Sequence, residues 1–375
     1  MKKIILTGGG TAGHVTPNIA LLPSLRRGSD VPDADPGGSF RDRPPVQPEG
    51  FEIEYIGSHG GIEQKLVEAC GIPFNGISSG KLRRYVSFKN FTDIFRVVKG
   101  LSDASKIIRR FKPDIVFSKG GFVSVPVVIA AKRAGVPVVI HESDITPGLA
   151  NRIAYPFASR VCASFPETME KLPKGKGALT GAPIRSELFG GDRETGRKRC
   201  GFKDGKPAVL VMGGSLGSAK INLCLRSCLD ALLERYSIIH ICGKGNVDRS
   251  LDRPGYAQFG FVSELLPDLL AAADIAVSRS GANSIYELLA LKLPNLLIPL
   301  SRNASRGDQI QNAESFRNQG FSRVIFEEDM TGESLVSEIG GLYEEREKYI
   351  AEMIKSPLND GVAEVMRVIT ETVKM

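Results

Sequence analysis

Residues 6–17 read LTGGGTAGHVTP, and two different chemistries fit them. Gly8, Gly10 and Gly13 satisfy G-x-G-x-x-G, the turn that sets a helix N-terminus against the pyrophosphate of a dinucleotide. His14 follows the third glycine directly and suggests a phosphate-holding loop beside a base, because an unperturbed imidazole offers a neutral form at pH 7. The plainer alternative is a histidine that only caps the loop. A dinucleotide site also wants an acidic residue about 20 positions on, at the end of the second strand, to bind ribose. Here that run, FEIEYIGS at 51–58, ends in glycine and serine, which disfavours the cofactor.

Similar turns recur as SKGGFVS (118–124), GGSLGSAK (213–220) and SRSGANSIYE (278–287). Each lies between an aliphatic run and a helix-length segment. Backbone N–H groups at such helix starts attract anions, and glycine permits close approach. Tight turn geometry alone is the competing explanation. Four such loops spread over two halves favour two phosphate-bearing ligands.

The elements that must position these loops alternate along the chain. KKIILTGGG, FEIEYIG, DIVFSKGG and VPVVIHES are strand-like, and GIEQKLVEACG and DIFRVVKGLSDASKIIRRF between them are amphipathic. The alternation restarts at PAVLVMGGSLGSAKIN and continues through YSIIHICGKG, ADIAVSRSGANSIYELLAL and PNLLIPLS. This pattern predicts an α/β protein of two doubly wound, Rossmann-like domains joined near 180–188, with ligands at the carboxyl ends of the strands and the two sheets facing a cleft. Residues 28–50, rich in proline, glycine and aspartate, fit neither period and read as an exposed insertion.

Net charge is +7 with pI near 9.0, which favours an acidic partner. No RNA-recognition or zinc-finger signature directs that charge to nucleic acid, so none is expected as a partner. The six cysteines show no C-x-x-C or metal-ligand spacing and read as reduced thiols of a cytoplasmic protein. No signal peptide opens the sequence, and no apolar run reaches the ~18 residues of a membrane span, so any membrane contact is expected to be peripheral. Without an Asp-x-Asp motif or a His/Cys cluster, neither a catalytic metal nor a cofactor is expected.

Seven stretches, GGGTAGHVTPNIAL, KPDIVFSKGGFVSVPVVIAA, HESDITPGLANR, GAPIR, VMGGSLGSAKIN, SRSGANSIYELLALKLPNLLIPL and RGDQIQNAESF, together resemble the MurG family of glycosyltransferases. The resemblance runs in order over nearly the whole chain except 28–50. It implies the GT-B fold: an acceptor and membrane domain at 1–183, a UDP-sugar domain at 184–356, and a helix in 357–375 packing back on the first domain. It implies transfer of N-acetylglucosamine from UDP-N-acetylglucosamine to the 4-hydroxyl of lipid I, with inversion, on the cytoplasmic face of the bacterial membrane during peptidoglycan synthesis. Other cell-wall synthesis proteins would be partners. A UDP-N-acetylglucosamine 2-epimerase and a non-catalytic nucleotide-sugar-binding subunit are the alternatives.

Carried onto this sequence, the resemblance implies that Gly9, Gly10, Thr11 and Gly13, with Gly120 and Gly121, hold the acceptor's diphosphate, and that His14 is the base. His141 and Glu142, at the end of another strand, are the second candidate pair, Glu142 as a catalytic or orienting group in the acceptor site or simply a structural hydrogen-bonding one, and Asp144, where the family often has asparagine, is a weaker acceptor candidate. Thr11, Gly13, Arg185, Ser215, Val262, Ala282, Glu287, Asp308 and Gln309 would contact the UDP-sugar. Glu287 would accept from the ribose hydroxyls, and Arg185 and Ser215 would meet the phosphates. Asp308 and Gln309 would meet the sugar, and Val262 the uracil through its backbone. The segment KLRRYVSFKNF, 81–91, mixes basic and apolar residues and suits an anionic membrane surface, though its aromatics would equally suit a core.

Overall fold

The computed structural model describes residues 1–26, 50–80, 89–203, 205–214, 217–302 and 307–374. The insertion expected at 28–50, apart from Gly50, lies outside the described residues, as do Ser215 and 81–88 of the basic and apolar segment. The chain forms two compact units, one of residues 1–142, 147–185 and 361–375, the other of 143–146 and 186–360.

Unit 1 is built on seven strands: β1 (Lys2–Thr7), β2 (Phe51–Ser58), β3 (Phe74–Ile77), β4 (Ile115–Ser118), β5 (Val138–Glu142), β6 (Arg160–Ala163) and β7 (Gly177–Leu179). They pair in parallel in the order β3-β2-β1-β4-β5-β6-β7. Ile4, Ile5 and Leu6 are all buried, as a strand covered on both faces requires. Their alternation divides them between two cores. Ile5 joins Val116, Ile140, Ala104 and Val127 on one face, while Ile4 and Leu6 join Phe117, Val139 and Leu25 on the other. The second face is completed by Val365, Val368 and Ile369 of the helix Gly361–Lys374. A β-carbon on Gly361 would stand 2.2 Å from the Ala182 carbonyl oxygen, so the helix can begin this close only with glycine there.

Unit 2 repeats the plan with β8 (Ala208–Met212), β9 (Ser237–Ile241), β10 (Tyr256–Phe259), β11 (Ile275–Ser278), β12 (Asn295–Leu297) and β13 (Ser322–Val324), ordered β10-β9-β8-β11-β12-β13. Val209, Val211, Ile238 and Val277 pack on Ile221 and Leu225 of the helix Ala219–Ser227. The α/β expectation of two doubly wound domains holds. In each sheet the strand order reverses beside the first strand, between β1 and β4 and between β8 and β11, the position where such sheets take ligands.

Candidate functional sites

In unit 1 the register pairs Thr7 with Ser118, so β1 and β4 end side by side. The first and second glycine loops therefore leave the switch point in contact. Gly121 has φ +85° and its missing β-carbon would lie 2.4 Å from the Gly9 carbonyl oxygen, so this approach depends on glycine. Gly10 and Thr11 are exposed, while Gly13 and His14 are half-buried.

A 3-10 turn, Ala12–His14, brings the imidazole back onto its own loop. Its Nδ1 lies 2.9 Å from the Gly9 carbonyl oxygen and 3.2 Å from Thr11 Oγ1. A carbonyl can only accept, so the neutral ring carries its proton on Nδ1 and its lone pair on Nε2. That is the tautomer a base needs.

Beneath the loop lie three groups that sequence reasoning passed over, Glu63, Tyr55 and Lys119, the last of them against the candidate His141. Glu63, fully buried, accepts from the Ser58 N–H at 2.8 Å and the Gly10 N–H at 3.4 Å. The Tyr55 hydroxyl donates to the Gly8 carbonyl at 2.8 Å. Burial pushes its pKa up, the Asn18 hydrogen bond opposing and the Glu63 charge adding, so it stays a donor. Lys119 is buried and its Nζ donates to His141 Nδ1 at 2.7 Å, while His141 Nε2–H donates to the Gly181 carbonyl at 2.9 Å. Burial first, then the Lys119 charge, hold His141 well below the usual imidazole range against the opposing Gly181 bond, and the ring is neutral.

Glu142, at the end of β5, is buried, and its Oε2 accepts from Asn151 Nδ2 at 2.9 Å, the Gly148 N–H at 3.2 Å and the Tyr155 hydroxyl at 3.2 Å. Three donors from the following loop and helix suit a group that shapes residues 143–148. Asn151 also faces Gly120, whose absent β-carbon would sit 2.9 Å from Asn151 Oδ1. Asp144 is exposed, and Arg185 is half-buried at the end of a unit 1 segment.

In unit 2 the loop after β8 turns on Gly214 (φ +88°) and Gly217 (φ +78°), and Ser218 caps the next helix. The loop after β11 starts with Arg279, which is buried. Its guanidinium donates to Ser218 Oγ (2.7 Å), to the carbonyls of Ile298 (3.0 Å) and Pro299 (3.2 Å), and to Glu327. Lys220 donates to the other Glu327 oxygen at 2.8 Å. Burial alone would raise the Glu327 carboxyl, but the bonds and charges of Lys220 and Arg279 outweigh it and hold it low. This ion cluster ties both glycine loops of unit 2 together.

Ala282 opens the helix Ala282–Ala290, whose N-terminus has no side-chain cap, and Glu287 stands half-buried further along it. Asp308 and Gln309 open the helix Asp308–Asn318. That helix is docked on the β11 loop: Ser280 Oγ donates to the Gln309 carbonyl at 2.8 Å and Asn312 Nδ2 to the Ser280 carbonyl at 3.0 Å. Gln309 Oε1 accepts from the Leu300 N–H at 3.1 Å. Val262 is half-buried in the loop after β10. Ala282, Asp308 and Gln309 are thus brought to one end of the sheet.

The Glycosyltransferase family 28 N-terminal domain matches residues 44–163 and the family's C-terminal domain residues 208–369. The crystal structure of Acinetobacter baumannii MurG superposes with a TM-score of 0.74 at 22% identity over 99% of this chain and 100% of that one. A Neisseria meningitidis UDP-GlcNAc 2-epimerase bound to UDP-GlcNAc superposes at 0.67 with 13% identity over all of both chains. Both likenesses speak for the fold alone. Fold and domains define a glycosyltransferase of the GT-B type. A UDP-N-acetylglucosamine--N-acetylmuramyl-(pentapeptide) pyrophosphoryl-undecaprenol N-acetylglucosamine transferase of Clostridium botulinum type F is 54% identical over 375 residues, 100% of each chain. The chain belongs to this MurG family of N-acetylglucosamine transferases.

Proposed function

We propose that this enzyme moves N-acetylglucosamine from UDP-N-acetylglucosamine to the 4-hydroxyl of the muramoyl sugar of lipid I, with inversion, forming lipid II. Beyond family membership, the observation that carries the reading is His14, held at the switch point of unit 1 with its Nε2 lone pair fixed by the bond from Nδ1 to the Gly9 carbonyl. His14 Nε2 takes the proton of the attacking hydroxyl. Gly9, Gly10, Thr11, Gly13, Gly120 and Gly121 border the acceptor's diphosphate; the Gly10 N–H already donates to Glu63, so the anion's contacts fall to the other amides. Glu142 keeps the 143–148 loop in shape for the acceptor.

The donor falls to unit 2. Glu287 accepts from the ribose hydroxyls, Asp308 and Gln309 meet the sugar, Val262 presents backbone groups to uracil, and Ser215 and the amides at Ala282 meet the diphosphate. One helix N-terminus supplies about 0.3–1 kcal/mol when exposed and ~2 when partly buried, so several donors must act together on the leaving UDP.

The acceptor's polyprenyl tail stays in the bilayer, so on this reading the enzyme works at a membrane surface; we assign it to the cytoplasmic face, near other cell-wall synthesis proteins. Among the described residues no helix is long and apolar enough to cross it. Segment 81–91 provides the peripheral contact. Changing Arg83, Arg84 and Phe88 together to Ser should release the protein from anionic vesicles and slow turnover of membrane-embedded acceptor much more than that of a soluble one; equal losses would assign the segment to the active site.

The decisive assay incubates the protein with labelled UDP-N-acetylglucosamine and a short-chain lipid I analogue. Disaccharide and free UDP are expected. Epimerised sugar, or binding without any product, would overturn the reading in favour of the epimerase or the binding subunit.

A further inference from the structure

The peptide group between Gly9 and Gly10 is hydrogen-bonded at both ends by side chains. Its carbonyl accepts from His14 Nδ1 at 2.9 Å, and its N–H donates to Glu63 Oε2 at 3.4 Å. We propose that Glu63 is a positioning residue for His14 that acts through this peptide: carboxylate, amide and imidazole form one chain that holds the proton on Nδ1 and favours proton uptake at Nε2. The proposal rests on the reading of His14 as the base and adds the group that orients it.

The carboxylate is built into the loop. Glu63 is wholly buried, and three glycines shape its socket. A β-carbon would lie 2.4 Å from Glu63 Oε1 at Gly9, 2.4 Å from its Cδ at Gly61 and 2.8 Å from its Cγ at Gly57. Burying a carboxylate costs several kcal/mol unless hydrogen bonds replace its hydration. Among the described residues both donors it finds are backbone N–H groups, of Ser58 and Gly10, and neither is a cation. The negative charge therefore acts on the loop.

An anion accepting from an amide N–H polarises that amide and makes its carbonyl oxygen a better acceptor. The carboxylate of a Ser-His-Asp triad does the same work by direct contact: it sets the tautomer and stabilises the imidazolium. Here one peptide group is interposed. The link from Gly10 to Glu63 is long for a hydrogen bond, so the effect should be smaller than that of direct contact. The ionisable groups packed on the loop include Lys119, whose β-carbon would be 3.2 Å from a β-carbon on Gly8, and Tyr55, which keeps its proton.

The test is histidine-ring nitrogen NMR on the full chain, which has four histidines, with the His14 signals identified by their loss in His14→Gln. At neutral pH the wild-type His14 proton should sit on Nδ1, and the Gly10 amide proton should shift in step with the His14 titration. In Glu63→Gln the His14 midpoint should move to lower pH. The acid limb of the kcat/KM profile should move with it, and kcat should fall about tenfold with KM for UDP-N-acetylglucosamine unchanged. A wild-type ring protonated on Nε2, a Gly10 amide indifferent to the His14 titration, or an unmoved midpoint in Glu63→Gln would overturn the proposal. The first two need no variant and decide the matter even if Glu63→Gln fails to fold. Failure of the base assignment looks different: His14→Ala would keep its turnover while the wild-type NMR signature stayed intact.

Discussion

Both units place two glycine loops at the switch point of a parallel sheet, yet what is buried beneath the loops differs. In unit 1 the carboxylate of Glu63 meets, among the described residues, only backbone N–H groups, and the cation Lys119 is bonded to a neutral imidazole. In unit 2 the carboxylate of Glu327 is met by two cations, Arg279 and Lys220. The same topology thus carries different electrostatic settings. Unit 2 pairs its buried carboxylate with the buried Arg279 and the exposed Lys220, a net positive charge that would suit the nucleotide diphosphate proposed above. In unit 1 the Glu63 carboxylate has no cation bonded to it among the described residues and lies one peptide group from His14, the base proposed above.

The strongest way to break this contrast is His14→Ala. If unit 1 is arranged around a base, the variant should fold and bind UDP-N-acetylglucosamine normally while kcat falls about 10²- to 10⁴-fold, as measured by steady-state transfer to a lipid I analogue. An unchanged rate would leave the unit 1 loops as an anion cradle only.

Arg279→Met should produce the next effect, on stability. Removing one partner of a buried pair leaves a charge uncompensated, and although Lys220 remains, about 3 kcal/mol should be lost in urea unfolding followed by a probe in unit 2. Normal stability would mean that the cluster does not brace the loops. Glu287→Ala sharpens the distinction between bracing and binding. It should cost less stability than Arg279→Met but weaken UDP binding by about 1.5–3 kcal/mol and reduce the preference for UDP over the 2′-deoxy nucleotide, read by calorimetry. Retained discrimination would move ribose recognition elsewhere.

What could be read from the sequence follows from how local each signal is. The glycine turns and the runs around Ile4–Leu6 and Val209–Val211 declare themselves, because a left-handed φ or burial on both faces constrains nearby residues directly. The edge strands of unit 1 do not: β3 is FNGI, in which only Ile77 is fully buried, β7 is GAL, half-buried throughout, and runs this short with a glycine show no period. The site divides along the same line. His14 was legible because it adjoins its loop. Glu63 reads as part of an amphipathic helix, and only the meeting of β1, β2 and the helix Ile62–Glu68 reveals that its carboxylate faces Gly9. Glu142 stood out beside His141, but its donors Asn151 and Tyr155 belong to the next helix and turn, so its part in holding the loop needed the fold. Arg279 and Glu327 are 48 residues apart and meet only because β11 and β13 flank β12.

The smallest effect concerns a feature the units share. Each buries one neutral histidine, His141 in unit 1 and His240 in unit 2. His240 lies between the Tyr256 hydroxyl, 2.8 Å from Nδ1, and Asn222 Oδ1, 3.0 Å from Nε2. Burial, with the Arg226 charge adding, pushes its pKa down to about 3. An unfolded histidine titrates near pH ~6.5, so below that the unfolded chain binds a proton that the native chain refuses. Stability contributed by the neutral ring is complete above that pH and is lost as pH falls toward the folded value, at up to ~1.4 kcal/mol per pH unit for each histidine. Between pH 6 and 5 most carboxylates are still ionised, and the histidine contribution can be isolated. His240→Gln, which keeps a polar amide in the site, should flatten the pH dependence of unit 2 unfolding by about 1 kcal/mol per unit and leave that of unit 1 unchanged, with the reverse for His141→Gln. The test distinguishes the two burials because His141 also borders a cation. If His141→Gln frees Lys119 from its imidazole partner, unit 1 should lose stability at every pH as well as flatten. His240, hydrogen-bonded to uncharged groups, should show the flattening with the smaller constant loss.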